Sequence, residues 1–330
     1  MPDPVPTEPG VFLLSLDTEL AWGYFDYPRH VRERIFSSDG SRERRAVRRL
    51  LDLFRDYDIQ ATWSVVGHMF HASWEEDPSD PVMTWRGRYD SFDEIYGTSH
   101  PLWYGPDVVE AIIAAQPKHE IAVHGYTHRP LGEGDVGPQD VRRELEAWQR
   151  VAERWGIHGQ AMTFPRNRVG NLHVLRELGI RSYRGRTRLP WIARVPVLGK
   201  VLNRLDMYLQ LYPPRLQPIP DPIAECPVDL EASYWLFGMH RALEERLDAL
   251  GLSLVRMHRV RAAVRRAALR GQVLHLWAHP WEFRTDADFA KLAYVLEEVR
   301  IQREAGRLLP MTMTALVEAV SARRHTESTG

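Results

Sequence analysis

Residues 11–16 read Val-Phe-Leu-Leu-Ser-Leu and are followed directly by Asp17-Thr18-Glu19, and this stretch carries the pattern that decides the fold. A short run of β-forming apolar residues that ends abruptly in polar ones is typical of a buried strand in a parallel sheet. Alternate side chains of a strand share a face, so Asp17 and Glu19 should project together from its carboxyl end. Two such acids suit a general base beside a metal ligand, with exposed loop acids as the simpler alternative.

The same pattern recurs along the chain and alternates with amphipathic segments. Further apolar runs lie at 61–66, 120–123, 161–164, 180–183, 223–226 and 273–278, and helical patterns lie at 42–57, 106–116, 138–155, 171–178 and 289–304. Alternating strands and helices predict parallel pairing through crossover helices. Four runs end in carboxylates, histidines or arginines, and only in a barrel do all such ends meet at one mouth. The pattern therefore favours an α/β barrel over an open doubly wound sheet.

The composition is that of a soluble globular protein. Of 330 residues, 44% are apolar and 26% charged, and acids and bases are interspersed with a formal net charge of −1. That balance argues against a dedicated nucleic-acid partner. One cysteine, Cys226, allows no intramolecular disulfide. The first ten residues lack the features of a secretory signal and no apolar run could span a membrane, so we expect a cytoplasmic protein.

Domain organisation is expected to be simple. The strand and helix pattern continues through the chain, so we predict a single domain over residues 1–330. Two long connections, about 71–104 and 186–222, interrupt the pattern and are rich in proline. Connections of that length in a compact domain are usually lids or binding walls.

A histidine pair follows the predicted strand 120–123. His124 and His128 are spaced so that both can reach one divalent ion if the segment turns helically, and imidazole suits Zn²⁺ and related metals. Among 14 histidines, one pair at this spacing is close to chance. Placement favours a metal site, because both histidines follow a buried strand on the side where Asp17 and Glu19 lie.

A second pair at the same spacing, His275 and His279, belongs to the last predicted strand. His279 ends that strand and has a pKa range suited to proton donation near neutrality. His275 lies two pleats deeper and is expected to be a packed core histidine. Trp277 shares their face, where it could form a cavity wall or pack in the core.

One further strand end carries Phe164-Pro165-Arg166-Asn167. The guanidinium fork of Arg166 can orient a carboxylate and keep it ionised. The alternative is an arginine at a helix N-terminus that points into solvent.

In combination these motifs resemble the polysaccharide deacetylase family, also called carbohydrate esterase family 4 or the NodB-homology domain. Four motifs occur in the family's order between about residues 11 and 314. They are a first acid with a second acid, the H-x-x-x-H, the F-P-R-N segment and a late strand ending in His279-Pro280-Trp281-Glu282. The resemblance implies a distorted (β/α)7 TIM-like barrel with its active site at the carboxyl ends of the strands. It also implies a divalent metal, with Zn²⁺ expected, and hydrolysis of an N-acetyl or other N-acyl group on an amino sugar or glycan.

The resemblance also implies roles for individual residues. Asp17 matches the general base, His279 the general acid, and Arg166 the arginine that positions the base. The expected metal ligands are Glu19, His124 and His128. The candidate substrate-binding residues are Trp22, Phe164, Pro165, Asn167 and Trp277.

The sequence departs from the family pattern at two places. The commonest first motif has adjacent acids, whereas Thr18 intervenes here. The family often supplies an aspartate that pairs with the acid histidine, but Arg184 and Arg186 follow Tyr183 instead.

Alternative functions within the resemblance are a deformylase or deacetylase of a lipid-linked amino sugar, a hydrolase of small cyclic amides, and an inactive glycan-binding relative. The segment 191–211 is basic and contains tryptophan. It is expected either to lie on a membrane surface or to close as a lid over the barrel mouth.

Overall fold

The computed structural model describes residues 8–187, 206, 212–221, 226–237 and 241–328. Strands in these ranges are β1 (Gly10–Thr18), β2 (Thr62–Val65), β3 (Glu120–Val123), β4 (Ala161–Thr163), β5 (Ser182–Arg184), β6 (Val228–Asp229), β7 (Tyr234–Trp235), β8 (Val273–Ala278) and β9 (Leu308–Met311). Their order is β6-β5-β4-β3-β2-β1-β8-β7, all pairs are parallel, and β9 adds to β1. The strands form a curled half-barrel, which confirms the predicted distorted β/α barrel.

Helices surround this sheet. They are α1 (Arg29–Ile35), α2 (Ser41–Tyr57), α3 (Ser91–Ile95), α4 (Pro106–Ala114), α5 (Pro138–Glu153), α6 (Leu172–Glu177), α7 (Arg241–Ala249), α8 (Leu252–Arg270), α9 (Asp286–Glu304) and α10 (Met313–Ser328). The five predicted helical segments are all present, with ends that differ by a few residues. By the criterion of length and apolar character, the described part of the chain contains no helix able to cross a membrane.

Helix α5 shows how sequence pattern and packing agree. Pro138 stands in its first turn, where the missing N–H of proline costs nothing. The apolar stripe of the helix buries Leu145 and Trp148 against the sheet. The indole N–H of Trp148 also donates to the Val65 carbonyl at 2.7 Å. This bond fixes α5 over the carboxyl end of β2, next to the candidate site.

Of the two long connections, the first is described throughout and the second only in part. Region 71–104 is an ordered wall that contains a short 3-10 helix (Pro81–Trp85) and α3. Its Trp85 and Trp103 rings pack on Trp22. Most of 186–222 lies outside the described residues, as do 223–225 of the predicted sixth strand (223–226). The described strand in this region, β6, begins at Val228, beyond the predicted bounds.

Candidate active site

Polar side chains at the carboxyl ends of β1, β3, β4, β5 and β8 converge at one mouth. Strand β1 lies between β2 and β8 in the sheet, and its register pairs Asp17 with Ser64 and Leu16 with Ala278. Asp17 and Glu19 are both only 3% exposed. They are therefore buried site residues, and the loop-acid alternative does not hold for either.

The predicted metal ligands are brought together. The Nε2 atoms of His128 and His124 lie 2.7 Å and 3.3 Å from Glu19 Oε2, and one ligand atom from each of the three residues falls within 4.8 Å of the others. All three side chains are buried. Burial raises the pKa of Glu19, but the nearby imidazoles of His128 and His279 outweigh it and hold that pKa well below its usual range.

The surroundings of this group fit a divalent ion. His124 Nδ1 lies 2.8 Å from the Thr163 carbonyl oxygen. A proton on Nδ1 that is donated there leaves the Nε2 lone pair free for a metal, which is the common outer contact of metal-bound histidine. Nδ1 of His128 is buried without a hydrogen-bond partner among the described residues. Two imidazoles and a carboxylate are the donor set that Zn²⁺ and related ions take in catalytic sites.

The turn that carries both histidines is held from behind by α5. Glu144 is buried and accepts hydrogen bonds from the backbone N–H groups of Tyr126 and Thr127, each at 2.9 Å. Thr127 Oγ1 donates to the same carboxylate at 2.6 Å. His128 adopts a left-handed backbone (φ 60°), which brings its ring back toward His124. The sequence gives no signal for the contact of Glu144 with this turn, since Glu144 lies mid-helix among other charged residues.

Asp17 is paired with an arginine from β5. Arg184 Nη1 and Nη2 donate to the two Asp17 oxygens at 2.8 Å and 2.6 Å. Arg184 also donates to Ser15 Oγ and to Asn167 Oδ1, both at 3.0 Å. Burial alone raises the pKa of Asp17, but the charge of Arg184 outweighs it and lowers that pKa to about 2. Asp17 is therefore held as a carboxylate.

The arginine expected beside Asp17 was Arg166, and the structure places it elsewhere. Arg166 forms an ion pair with Asp26, with Nη1 to Oδ2 at 2.9 Å, and its guanidinium lies 5.5 Å from the Phe25 ring centre. Its left-handed backbone (φ 55°) directs the side chain toward the 23–27 loop. Arg184 takes the expected place because β5 neighbours β4 and ends at the same level. The sequence signal for Arg184 is that it stands at the end of a predicted strand, like the other charged residues of the site.

His279 faces both acids from the end of β8. Its Nε2 lies 4.0 Å from Asp17 Oδ2 and 3.7 Å from Glu19 Oε1. Glu282 accepts the His279 backbone N–H at 2.7 Å and lies 3.1 Å from Nδ1. Burial lowers the pKa of His279, but the carboxylates of Glu282, Glu19 and Asp17 outweigh it and raise that pKa to about 9. Glu282, and not a residue after Tyr183, is therefore the acidic partner of His279.

His275 is a core histidine with both ring nitrogens occupied, as expected from its depth. Nε2 lies 2.9 Å from Ser15 Oγ and Nδ1 lies 3.0 Å from the Leu230 carbonyl. Complete burial, with the charge of Arg184 adding to it, lowers its pKa to about 3. It therefore stays neutral and supports Ser15, which in turn binds Arg184.

An open cavity of about 1040 Å³ lies over these groups, and its lining includes Asp17, Glu19, His128 and His279. Aromatic walls come from Trp277, which stacks on Trp235 with ring centres 5.3 Å apart, and from Trp281 and Tyr24. Trp281 Nε1 donates to Glu19 Oε1 at 3.3 Å.

The candidate substrate contacts separate into two groups. Trp277 and Asn167 line the cavity. Trp22 and Phe164 are fully buried, and Pro165 is buried with them. Trp22 stacks on His68 with ring centres 4.7 Å apart, so it supports the wall from behind and does not face the cavity.

Fold and site together define a β/α-barrel protein with a buried histidine and carboxylate cluster at the carboxyl ends of its strands. The polysaccharide deacetylase family model matches residues 37–182, which include His124, His128 and Arg166. No curated protein matches the sequence significantly.

Two solved structures share the fold. A provisionally named polysaccharide deacetylase from Mycobacterium smegmatis is 16% identical, with a TM-score of 0.55 and coverage of 97% of this chain and 95% of that one. Another, from Pseudomonas aeruginosa PAO1, is 14% identical, with a TM-score of 0.50 and coverage of 93% and 89%. The match over residues 37–182 makes this part of the chain similar to the polysaccharide deacetylase family, whose members are hydrolases of amide bonds.

Proposed function

We propose that this protein is a divalent-metal-dependent hydrolase that removes an N-acetyl or other N-acyl group from an amino sugar. One observation carries the proposal: a buried group of Glu19, His124 and His128 lies in the same cavity mouth as the carboxylate Asp17 and the imidazole His279. Metal ligands, a base and an acid are the parts that amide hydrolysis needs.

The chain's own residues divide the chemistry. A divalent ion bound by Glu19, His124 and His128, with Zn²⁺ our first expectation, would supply Lewis-acid polarisation of the acyl carbonyl. Asp17 accepts a proton from the attacking water, and the Arg184 fork keeps Asp17 ionised and aimed. His279 donates a proton to the amine nitrogen as the carbon–nitrogen bond breaks.

The cavity walls suit a sugar. Trp277 and Trp281 contribute aromatic ring atoms to the cavity lining beside polar groups, and Asn167 adds an amide. Such a mixture binds the apolar faces and the hydroxyl groups of a sugar ring. The family name supports the same substrate class. A cytoplasmic location, and membrane contact through 191–211, which falls largely outside the described residues, stay expectations from sequence.

The decisive experiment couples metal analysis to a turnover screen. Purified protein should hold about one divalent ion per chain, and mass spectrometry should detect release of an acyl group from at least one N-acylated amino sugar. His124→Ala should lose both metal and turnover, whereas the control His173→Ala, at an exposed position on α6, should keep both. Asp17→Asn should keep the metal and lose turnover.

Two outcomes would count against the proposal. Full turnover by metal-free protein would remove the role of the metal. Bound metal and glycan without turnover on any N-acylated sugar would favour the inactive glycan-binding alternative.

A further inference from the structure

One arm of the cavity carries positive charge that has no ion-pair partner within the described part of the chain. Eight arginine and carboxylate side chains line the cavity. Six of them have an oppositely charged partner at ion-pair distance, and these are Asp17, Glu19, Arg166, Arg241, Glu244 and Glu282. Among the described residues, Arg34 and Arg284 have no such partner.

Arg284 is the more informative of the two. Its Nη2 donates to the Ile35 carbonyl at 2.9 Å, and its Nε is buried without a hydrogen-bond partner among the described residues. Burial lowers the pKa of Arg284, and the charges of Arg42 and Arg241 lower it further, despite the opposing carboxylates Glu43 and Glu282. A half-buried guanidinium that lacks an ion-pair partner and leaves its Nε unsatisfied is unfavourable unless an anion binds beside it.

The position of Arg284 connects it to the reaction site. Its guanidinium carbon lies 5.9 Å from the centre of the Trp281 ring, and Trp281 Nε1 donates to Glu19 Oε1. Tyr24 packs against the same indole, with ring centres 5.8 Å apart, and lines the cavity. Arg34 directly precedes Ile35, whose carbonyl Arg284 holds. We call Arg34, Arg284 and Tyr24 the cationic arm.

We propose that the cationic arm binds an anionic substituent, a phosphate or carboxylate, of the amino-sugar substrate. The inference rests on the proposed function and narrows its substrate class to charged amino sugars. Guanidinium groups recognise both anions through paired hydrogen bonds. The Tyr24 hydroxyl adds a donor, since burial and the charge of Glu19 raise its pKa and keep it protonated. With a neutral glycan bound, Arg34 and Arg284 would still have no ion-pair partner among the residues that the structure describes.

Ligand binding tests this without any need for turnover. Isothermal titration at fixed ionic strength would compare glucosamine with glucosamine 1-phosphate, glucosamine 6-phosphate and muramic acid, which separates phosphate from carboxylate and one sugar position from another. At least one charged sugar should bind ten times or more tighter than glucosamine. Arg284→Gln should reduce that preference below threefold, and Arg284→Lys should restore part of it. The control Arg300→Gln, in α9 and paired with Glu297 and Glu304, is not part of the cavity lining and should leave the preference unchanged.

Two checks keep the result interpretable. Arg284→Gln removes the hydrogen bond to the Ile35 carbonyl, so the thermal midpoint of this variant shows whether the fold is retained. Arg34→Gln, at an exposed position, is a second variant that should weaken the same preference for charged sugars. The inference is overturned by any of three results: charged and neutral sugars bind equally, no charged sugar binds, or both variants keep the full preference for charged sugars. Charged-sugar binding without hydrolysis of any N-acyl sugar would instead refute the proposed function and leave the cationic arm intact.

Discussion

Replacing Arg184 by glutamine removes the one guanidinium that pairs with Asp17 among the described residues. Both side chains are buried, with 0% and 4% exposure, and two short hydrogen bonds join them. Loss of one partner of a buried pair leaves the other charge without compensation, which typically costs about 3–5 kcal/mol. Arg166→Gln, which breaks a half-exposed pair with Asp26, should cost about 1 kcal/mol or less.

Urea unfolding at constant metal occupancy would measure these costs. A double-variant cycle with Asp17→Asn sharpens the result, because the pairing predicts that Arg184→Gln is less destabilising once Asp17 is already neutral. We expect a coupling of about 2 kcal/mol, within the range for contacting residues. Turnover of Arg184→Gln should fall about 100-fold or more, which corresponds to about 2.7 kcal/mol of transition-state stabilisation.

Two results would refute this reasoning. If Arg166→Gln destabilises the protein and slows turnover as much as Arg184→Gln, the assignment of Arg184 as the partner of Asp17 is wrong. If the effects of Arg184→Gln and Asp17→Asn simply add, the two side chains do not form an energetically coupled pair.

Three further predictions concern stability and metal binding. Glu144→Gln should weaken metal binding about 10-fold or more, because it loosens the turn that carries His124 and His128. The variant Glu146→Gln, on the surface of α5, should not weaken it. Equal metal affinities of the two variants would exclude a role of Glu144 in positioning the histidines. His275 is buried and neutral, and its pKa is lowered, so below about pH 6.5 the unfolded chain binds a proton that the native chain does not. The free energy of unfolding should therefore fall by up to about 1.4 kcal/mol per pH unit on acidification. His275→Asn should reduce the change in the urea midpoint between about pH 6.5 and 5, and an unchanged pH dependence would contradict this. Zn²⁺ at 100 times its dissociation constant should raise the free energy of unfolding by about 2.7 kcal/mol; a His128→Ala variant that gains equally would rule out the proposed ligand set.

Local pattern was sufficient for most of the barrel. Strands β3 and β8 were predicted at their observed bounds, because both are short apolar runs bordered by polar residues. Helices α7 and α8 were not predicted, since arginine recurs through 241–270 and breaks up the apolar stripe. Their burial depends instead on paired charges such as Arg256 with Glu244, at 2.6 Å. A charge pair between two helices leaves no periodic signal in the sequence.

By itself, the sequence determined the strand ends at which chemistry occurs and the residue types found there. Asp17, Glu19, His124, His128 and His279 all follow from apolar runs that stop at polar residues, since parallel strands of a barrel share one mouth. Only the tertiary structure decided which side chains pair across that mouth. Arg184 rather than Arg166 contacts Asp17, and Glu282 contacts His279, because strand neighbours and backbone turns, not sequence spacing, set the distances between charged groups.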